Sequence, residues 1–367
     1  MKIFFDGGIF GRQKIGGISR LGFELIKELG KNKEVEQILY RGFYVDSYPF
    51  KKRWFSKYYG IKRPDFLKGR IFNLLDTIGM ELAYKLNMAK DLTFHSLYYR
   101  VPKKPKGPVI VHCYDMIQEL FGGNSKTIQF KKKAFDAADL IIAISESTKK
   151  DICRLYPIDP QKVIVAYPGV SEVFFKNRIT AQKPEQRPYL LYIGGRNYAY
   201  KNFDMLLNTF IDEKYYLQFD LTVFGGEKDL SLSHKKIIEK YNQGTWFRQE
   251  SGTDEKLAGI YANATLFIYP SLYEGFGIPP LEAMACGCPV VASNASSIPE
   301  AVLNAALLFD PSDSGNLAEN IEKILHDKFL SADLIKKGKI RARQFTWQKM
   351  ADTIYEGYLG LLKTKNS

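Results

Sequence analysis

The chain has 367 residues, of which 45% are hydrophobic, 25% charged and 14% aromatic, with a formal net charge of +13. That length is long for one core and comfortable for two domains. No run of about 18 apolar residues occurs, so no membrane-spanning helix is expected. Four cysteines (Cys113, Cys153, Cys286, Cys288) are too few for a disulfide framework in a chain this large. Cys286-Gly-Cys288 has the wrong spacing for a zinc knuckle, and a reducing compartment follows.

The positive charge is unevenly spread. Residues 1–180 hold 32 Lys+Arg against 18 Asp+Glu, a balance of +14, and the remainder holds 21 against 22. The excess concentrates in Lys51–Arg70, where Phe50, Trp54, Phe55, Tyr58 and Tyr59 are interleaved with eight basic residues. Such a patch suits an anionic membrane surface or nucleic acid, or is simply a solvated face. Interleaved aromatics favour lipid headgroups, and no recognised nucleic-acid motif accompanies the patch.

Met1-Lys-Ile-Phe-Phe-Asp-Gly-Gly8 reads as a strand and turn, not a signal peptide. Lys2–Asp6 is an opening strand, followed by a loop through Gly16-Gly17 and a helix with apolar residues at 18, 21, 25, 26 and 29. This is the first unit of a Rossmann-like layer, and without G-x-G-x-x-G it does not point to a nicotinamide cofactor. Residues 40–106 read as basic and irregular, with one helix around Phe72–Met88. Buried strands follow at Pro108–Tyr114, Leu140–Ile144 and Val163–Gly169. Asp115 stands at a strand's carboxyl end, where ligands bind in open α/β sheets, although a helix-capping role fits it equally.

Ile179–Pro188 has linker composition. A second alternation begins at strand Tyr189–Ile193, runs through loop Gly194–Lys201 and a helix from Asn202, and continues with strand Leu221–Phe224 and a helix over Asp254–Ala264. Strand Thr265–Tyr269 then feeds the turn Glu274-Gly-Phe-Gly277 and a helix over Ile278–Cys286 with proline in its first turn. Gly287 ends that helix and Pro289–Ala292 starts the next strand. Backbone N–H groups at the turn form an anion site, flanked by Glu274 and Glu282, that would suit a polyol attached to a diphosphate. The same stretch would also serve as a purely structural connection. Arg196 and Lys201, at the carboxyl end of the strand that opens this half, offer a planar fork and a point charge for phosphate oxygens. The last strand–helix unit spans 307–326, and an amphipathic segment follows at Trp347–Leu362.

As a joined set these motifs resemble retaining glycosyltransferases of family 4, the group 1 enzymes of GT-B fold. The resemblance is carried by Gly16-Gly-Ile-Ser-Arg20, Gly195-Arg196…Lys201-Asn202, Val223-Phe-Gly-Gly226, the E-x7-E signature from Glu274 to Glu282, and Phe345-Thr-Trp347. It implies two Rossmann-like domains facing across a cleft. The acceptor domain would be 1–180, the donor domain 181–345, and a C-terminal helix, 346–367, would return to the first domain. It further implies that Arg196 and Lys201 hold the donor pyrophosphate, Glu274 the sugar hydroxyls and Glu282 the ribose diol. Phe276 and Gly277 would offer backbone amides, and Gly16 and Gly17 would lie near the donor phosphate and acceptor. Asp115 is carried as a catalytic candidate. Many members have His-Asp where this chain has Tyr114-Asp115, so the histidine's role does not transfer. His112, two residues earlier, reads as a core residue.

The resemblance thus implies hexosyl transfer from a UDP- or GDP-type sugar to a glycan acceptor, with retention and with no metal or other cofactor. The charge asymmetry adds the expectation of a lipid-linked acceptor in polysaccharide or lipopolysaccharide biosynthesis, with the enzyme cytoplasmic and peripheral on the inner membrane face through residues 50–70. A non-catalytic nucleotide-sugar-binding subunit and a GT-B epimerase are the competing readings. Retention of all four charged residues weighs against the first. The second should turn over donor without acceptor.

Overall fold

A computed structural model of the protein describes residues 1–14, 16–89, 92–176 and 187–366. The chain divides into two compact units, one of Met1–Pro168 with Trp347–Ser367 and the other of Gly169–Thr346.

Among the described residues the first unit holds seven parallel strands: β1 (Lys2–Asp6), β2 (Glu36–Tyr44), β3 (Lys57–Lys62), β4 (Leu92–Ser96), β5 (Val109–Cys113), β6 (Leu140–Ala143) and β7 (Val163–Val165). Their order is β3-β2-β1-β4-β5-β6-β7. Helix α1 (Gly17–Leu29) follows β1, and helix α2 (Gly69–Asn87) precedes β4. The second unit has β8 (Tyr189–Ile193), β9 (Asp220–Phe224), β10 (Phe247–Glu250), β11 (Leu266–Tyr269), β12 (Val290–Ser293) and β13 (Leu307–Phe309), in the order β10-β9-β8-β11-β12-β13. Each sheet therefore reverses its winding beside its first strand, and the carboxyl ends there are where a doubly wound fold accepts a ligand.

The central strands are buried on both faces, as parallel sheets require. Ile3, Phe4, Phe5, Ile110 and Val111 in the first unit, and Leu190, Leu191, Val223, Ile268 and Val291 in the second, have no exposed surface. Trp246 is fully enclosed, its ring 5.1 Å from Phe210, and its indole N–H donates to the Tyr241 carbonyl at 2.7 Å. That bond satisfies the one polar atom such burial strands.

Four strands differ from the sequence expectation. Residues 40–106, expected to be largely irregular, contain the end of β2 and all of β3 and β4. In β2 the apolar run is interrupted by Arg41, which is buried but bonded to Asp46. β3 is an edge strand with lysine at both ends, a composition that protects an unpaired edge from further pairing. β4 carries His95 and Ser96 inside the core, and β10 is the polar edge Phe-Arg-Gln-Glu. Buried ion pairs and edge positions each hide a strand from a hydrophobic pattern.

The division between units also shifts. The first unit ends at Pro168, not 180, because Val173–Lys176 belongs to the second. Phe174 is fully buried there, 6.1 Å from the Tyr261 ring, and its carbonyl accepts from Cys286 Sγ at 3.3 Å. Most of the expected linker, 179–186, lies outside the described residues.

The aromatic run after residue 50 is packed more than displayed. Phe50 lies 5.1 Å from both Phe10 and Phe23, Phe23 stacks on Tyr48 at 4.9 Å, and Arg41 covers Phe50 at 4.6 Å. Phe50, Trp54 and Phe55 are half-buried as a result. Phe50, Trp54 and Phe55 thus form a satellite core, while Tyr58 stays exposed.

The C-terminal helix Trp347–Asn366 belongs to the first unit. Its fully buried Tyr358 hydroxyl lies 2.5 Å from His95 Nδ1, and His95 Nε2 lies 3.0 Å from His112 Nδ1. Burial pushes His112 down to about 3, and burial with the His112 charge pushes His95 well below its ordinary value. Both histidines are therefore neutral core groups at neutral pH. Unfolding frees them to bind protons at about 6.5, so their contribution is complete above that pH and is lost as pH falls toward the folded values. The expected loss is about 1.4 kcal/mol per histidine per pH unit below about 6. Urea midpoints between pH 7 and 5 check it, and His112→Phe should flatten the slope.

Candidate active site

In the second unit, β8 and β11 are neighbours at the reversal of strand order, and their following loops are stitched together. Leu272 N–H donates to the Tyr200 carbonyl at 2.7 Å, and the Asn202 side-chain amide donates to the carbonyls of Pro270 (3.2 Å) and Pro311 (2.9 Å). Asn202 occupies the left-handed region (φ 55°) that asparagine tolerates. This junction sets Lys201 against Glu274, Nζ to Oε1 at 2.7 Å. The side chains are 17% and 12% exposed, so both charges face a partly wet site. Ser296 and Ser297 hydroxyls bond the Glu274 backbone (2.8 Å at N; 3.1 and 2.7 Å at O) and fix it from below. The buried Tyr269 hydroxyl also bonds the Glu274 carboxylate; burial first and that charge second push the phenol well up, keeping it a donor.

Arg196 sits differently from its sequence expectation. It is 3% exposed, and its guanidinium donates to the carbonyls of Gly225 (2.9 Å) and Glu227. Burial lowers its pKa. The Glu227 carboxylate in turn accepts from the Arg196 N–H at 2.7 Å; burial opposes ionisation, but these backbone bonds hold the group below the usual carboxylate range. The arginine thus ties the loop after β8 to the loop after β9 instead of presenting its fork to solvent. Gly226 makes the crossing possible, since its φ is +71° and a Cβ there would lie 2.4 Å from the Gly194 carbonyl oxygen. Beside this crossing a cavity of about 490 Å³ is lined by Gly225, Gly226, Glu227, Lys228, Gln249 and Ser251.

Glu282 is 5% exposed on the helix Ile278–Cys286, with the Tyr261 hydroxyl 3.4 Å from Oε2. Gly277 caps that helix, and Phe276 is buried against Phe345 at 5.3 Å. Pro279 and Pro280 have no N–H, so this terminus offers fewer backbone donors than the motif alone implies. Arg196, Lys201, Glu274, Phe276, Gly277 and Glu282 all belong to the second unit. Glu227, Tyr269, Ser296 and Ser297 are site-building residues the sequence reading missed. Only Gly225-Gly226 hinted at the first of them.

Gly16, Gly17 and Asp115 belong to the first unit. Gly16 caps α1 with its carbonyl accepting from Arg20 N–H (2.9 Å), and a Cβ on Gly17 would meet nothing within 4 Å, leaving open space at the helix start. Asp115 Oδ1 accepts from Ile117 N–H at 3.0 Å, and its carbonyl accepts from the buried Lys131 ammonium at 2.8 Å. The Tyr114 hydroxyl donates to the Leu97 carbonyl at 2.7 Å while its ring stacks 5.4 Å from His112. Its hydroxyl is therefore buried and committed to a backbone carbonyl.

Two parallel doubly wound sheets with charged residues converging at the second sheet's carboxyl edge define the architecture of a GT-B glycosyltransferase. The family model described as glycosyl transferases group 1 matches residues 173–341, and that described as glycosyltransferase family 4 matches 15–173. The chain belongs to the group 1, family 4 glycosyltransferases. It is 27% identical over 368 residues to O-antigen chain mannosyltransferase B of Escherichia coli, covering 93% of this chain and 95% of that one. The serotype-specific mannosyltransferase WbdA of Escherichia coli is 26% identical over 277 residues; the match takes in 69% of this chain and 33% of WbdA. Sucrose-phosphate synthase from Thermosynechococcus elongatus has the same fold, with a TM-score of 0.78 at 20% identity over 99% of each chain. WaaG, a glycosyltransferase involved in lipopolysaccharide biosynthesis, superimposes with a TM-score of 0.70 at 15% identity over 96% of this chain and 98% of its own.

Proposed function

We propose that the protein transfers a hexose, with mannose favoured by the names of its relatives, from a UDP- or GDP-type nucleotide sugar to a lipid-linked glycan acceptor in O-antigen or related lipopolysaccharide biosynthesis, with retention of anomeric configuration. The observation that carries the reading is the Lys201–Glu274 pair at the reversal point of the second sheet. It supplies, side by side, a cation for a diphosphate and an acceptor for sugar hydroxyls. In the free protein each neutralises the other. A bound donor would part them, its phosphates taking the ammonium and its hydroxyls the carboxylate.

The bond from the anomeric carbon to the phosphate oxygen breaks as the bond to the acceptor oxygen forms on the same face. The acceptor's proton passes to the departing diphosphate. Lys201 stabilises charge growing on that leaving group, the electrostatic contribution that dominates such sites. Arg196 acts through the Gly225–Glu227 loop, whose cavity has room for the nucleoside part of the donor. With cationic side chains in this role no divalent ion is needed, so excess EDTA should leave turnover unchanged.

A thermal-shift screen against UDP- and GDP-hexoses, followed by transfer to a polyprenyl-diphosphate glycan with each hit, tests the reading. Stabilisation by a nucleotide sugar with acceptor-dependent release of nucleoside diphosphate is expected. Binding without release would favour a non-catalytic subunit, and release without acceptor an epimerase or hydrolase.

A further inference from the structure

Helix α2 has two apolar faces where a surface helix has one. Its inner face is fixed. Phe72, Met80, Ala83 and Tyr84 are buried, and buried Asp76 bonds Arg100 Nη1 at 2.7 Å and the Tyr40 hydroxyl at 3.1 Å. Its outer face is Ile71, Leu74, Leu75, Ile78, Leu82 and Leu86, every one exposed. At about 100° per residue these six share one arc of about 120°. Ile71 is 66% and Leu86 74% exposed, and Phe66, just before the helix, reaches 87%. An aliphatic stripe of a little over four turns on a rigidly anchored helix exceeds the scattered apolar exposure of an ordinary surface.

The charges around the stripe select its occupant. Lys57, Lys62, Lys68, Arg70 and Lys85 are exposed between residues 57 and 89, against one exposed acid, Asp65. The first 180 residues carry the entire positive excess of the chain. A second copy seated on this face would bring two such basic borders together, which Coulomb repulsion opposes. An anionic bilayer surface complements both features, taking the aliphatic face at the acyl boundary and the basic border among headgroups. Among the described residues no helix is long and apolar enough to cross a membrane. We infer that α2 lies in the plane of an anionic membrane surface and docks the first unit there through Ile71, Leu74, Ile78 and Leu82. The packed aromatics near residue 50 stiffen the neighbouring edge and are not the anchor.

The inference deepens the proposed lipid-linked acceptor but stands on exposure and charge, so it is tested without any acceptor. The full-length protein is sedimented with vesicles of phosphatidylcholine alone or mixed with phosphatidylglycerol. Binding should be at least about ten-fold stronger to anionic vesicles and should fall with added salt. Leu74→Glu/Ile78→Glu/Leu82→Glu should lose about ten-fold or more while its urea midpoint and its thermal shift with nucleotide sugar stay at wild-type values. Lys68→Gln/Arg70→Gln/Lys85→Gln should weaken anionic binding and flatten its salt dependence. Equal binding by wild type and the triple-glutamate variant overturns the inference. So does a wild-type dimer in light scattering that this variant converts to monomer. Loss of nucleotide-sugar response in the wild type would instead count against the proposed function and leave the docking result standing.

Discussion

Replacing Lys201 with Ala is expected to lower turnover by about 10²–10³-fold, the cost of removing one preorganised electrostatic group, roughly 2.7–4 kcal/mol. The fold should survive, because the Lys201–Glu274 pair is part-exposed and its loops are held by other bonds, those of Asn202, Ser296 and Ser297. Glu274→Ala should lose transfer to a similar degree for a different reason. Calorimetry separates the two roles. Lys201→Ala should weaken a bare nucleoside diphosphate, whereas Glu274→Ala should bind it normally and lose the extra affinity for the sugar-bearing donor. The two losses should not add in the double variant, since each residue partners the other in the free protein. Wild-type turnover in either single variant would refute the assignment.

Those two side chains lie 73 positions apart in sequence, and what made them legible was the regularity of their surroundings. Each follows a short apolar strand and precedes a helix with a clear start, so the carboxyl-edge placement could be inferred from pattern alone. Arg196 was legible as a residue but not as a geometry. Nothing in Gly195-Arg196-Asn197 announces that the guanidinium turns back onto the carbonyls of Gly225 and Glu227, because that depends on how closely two glycine loops cross. Glu227 itself sits in polar loop sequence with no periodicity. The outer face of α2 was obscured by the opposite problem. A helix apolar on two sides reads as a buried helix, and only packing reveals that one side has no neighbour. The basic, aromatic run before it was legible as charge but not as packing, since Phe50, Trp54 and Phe55 lie against one another. Strands β2, β3 and β4 were hidden by Arg41, by edge lysines and by a buried histidine.

The largest stability effect should come from the group that joins α2 to the sheet. Arg100 is 18% exposed and bridges two carboxylates: Asp6, at the carboxyl end of β1, through both Nε (2.9 Å) and Nη2, and Asp76, in the middle of α2, through Nη1 (2.7 Å). Asp6 and Asp76 are 1% and 5% exposed, so neither has water to fall back on. Burial alone would lower the Arg100 pKa, but Asp6 and Asp76 overcome it and raise the group, which is charged at every accessible pH. Arg100→Met keeps the apolar stem and removes the charge, leaving two buried carboxylates that repel each other. Stranding a buried partner typically costs about 3–5 kcal/mol, and here two are stranded. Urea unfolding should therefore show a loss of at least about 3 kcal/mol at pH 7. Asp76→Asn/Arg100→Met should recover part of the loss by removing one orphan. If Arg100→Met were as stable as wild type, α2 would be held by its apolar inner face alone, and the rigid presentation of its outer stripe would need another source.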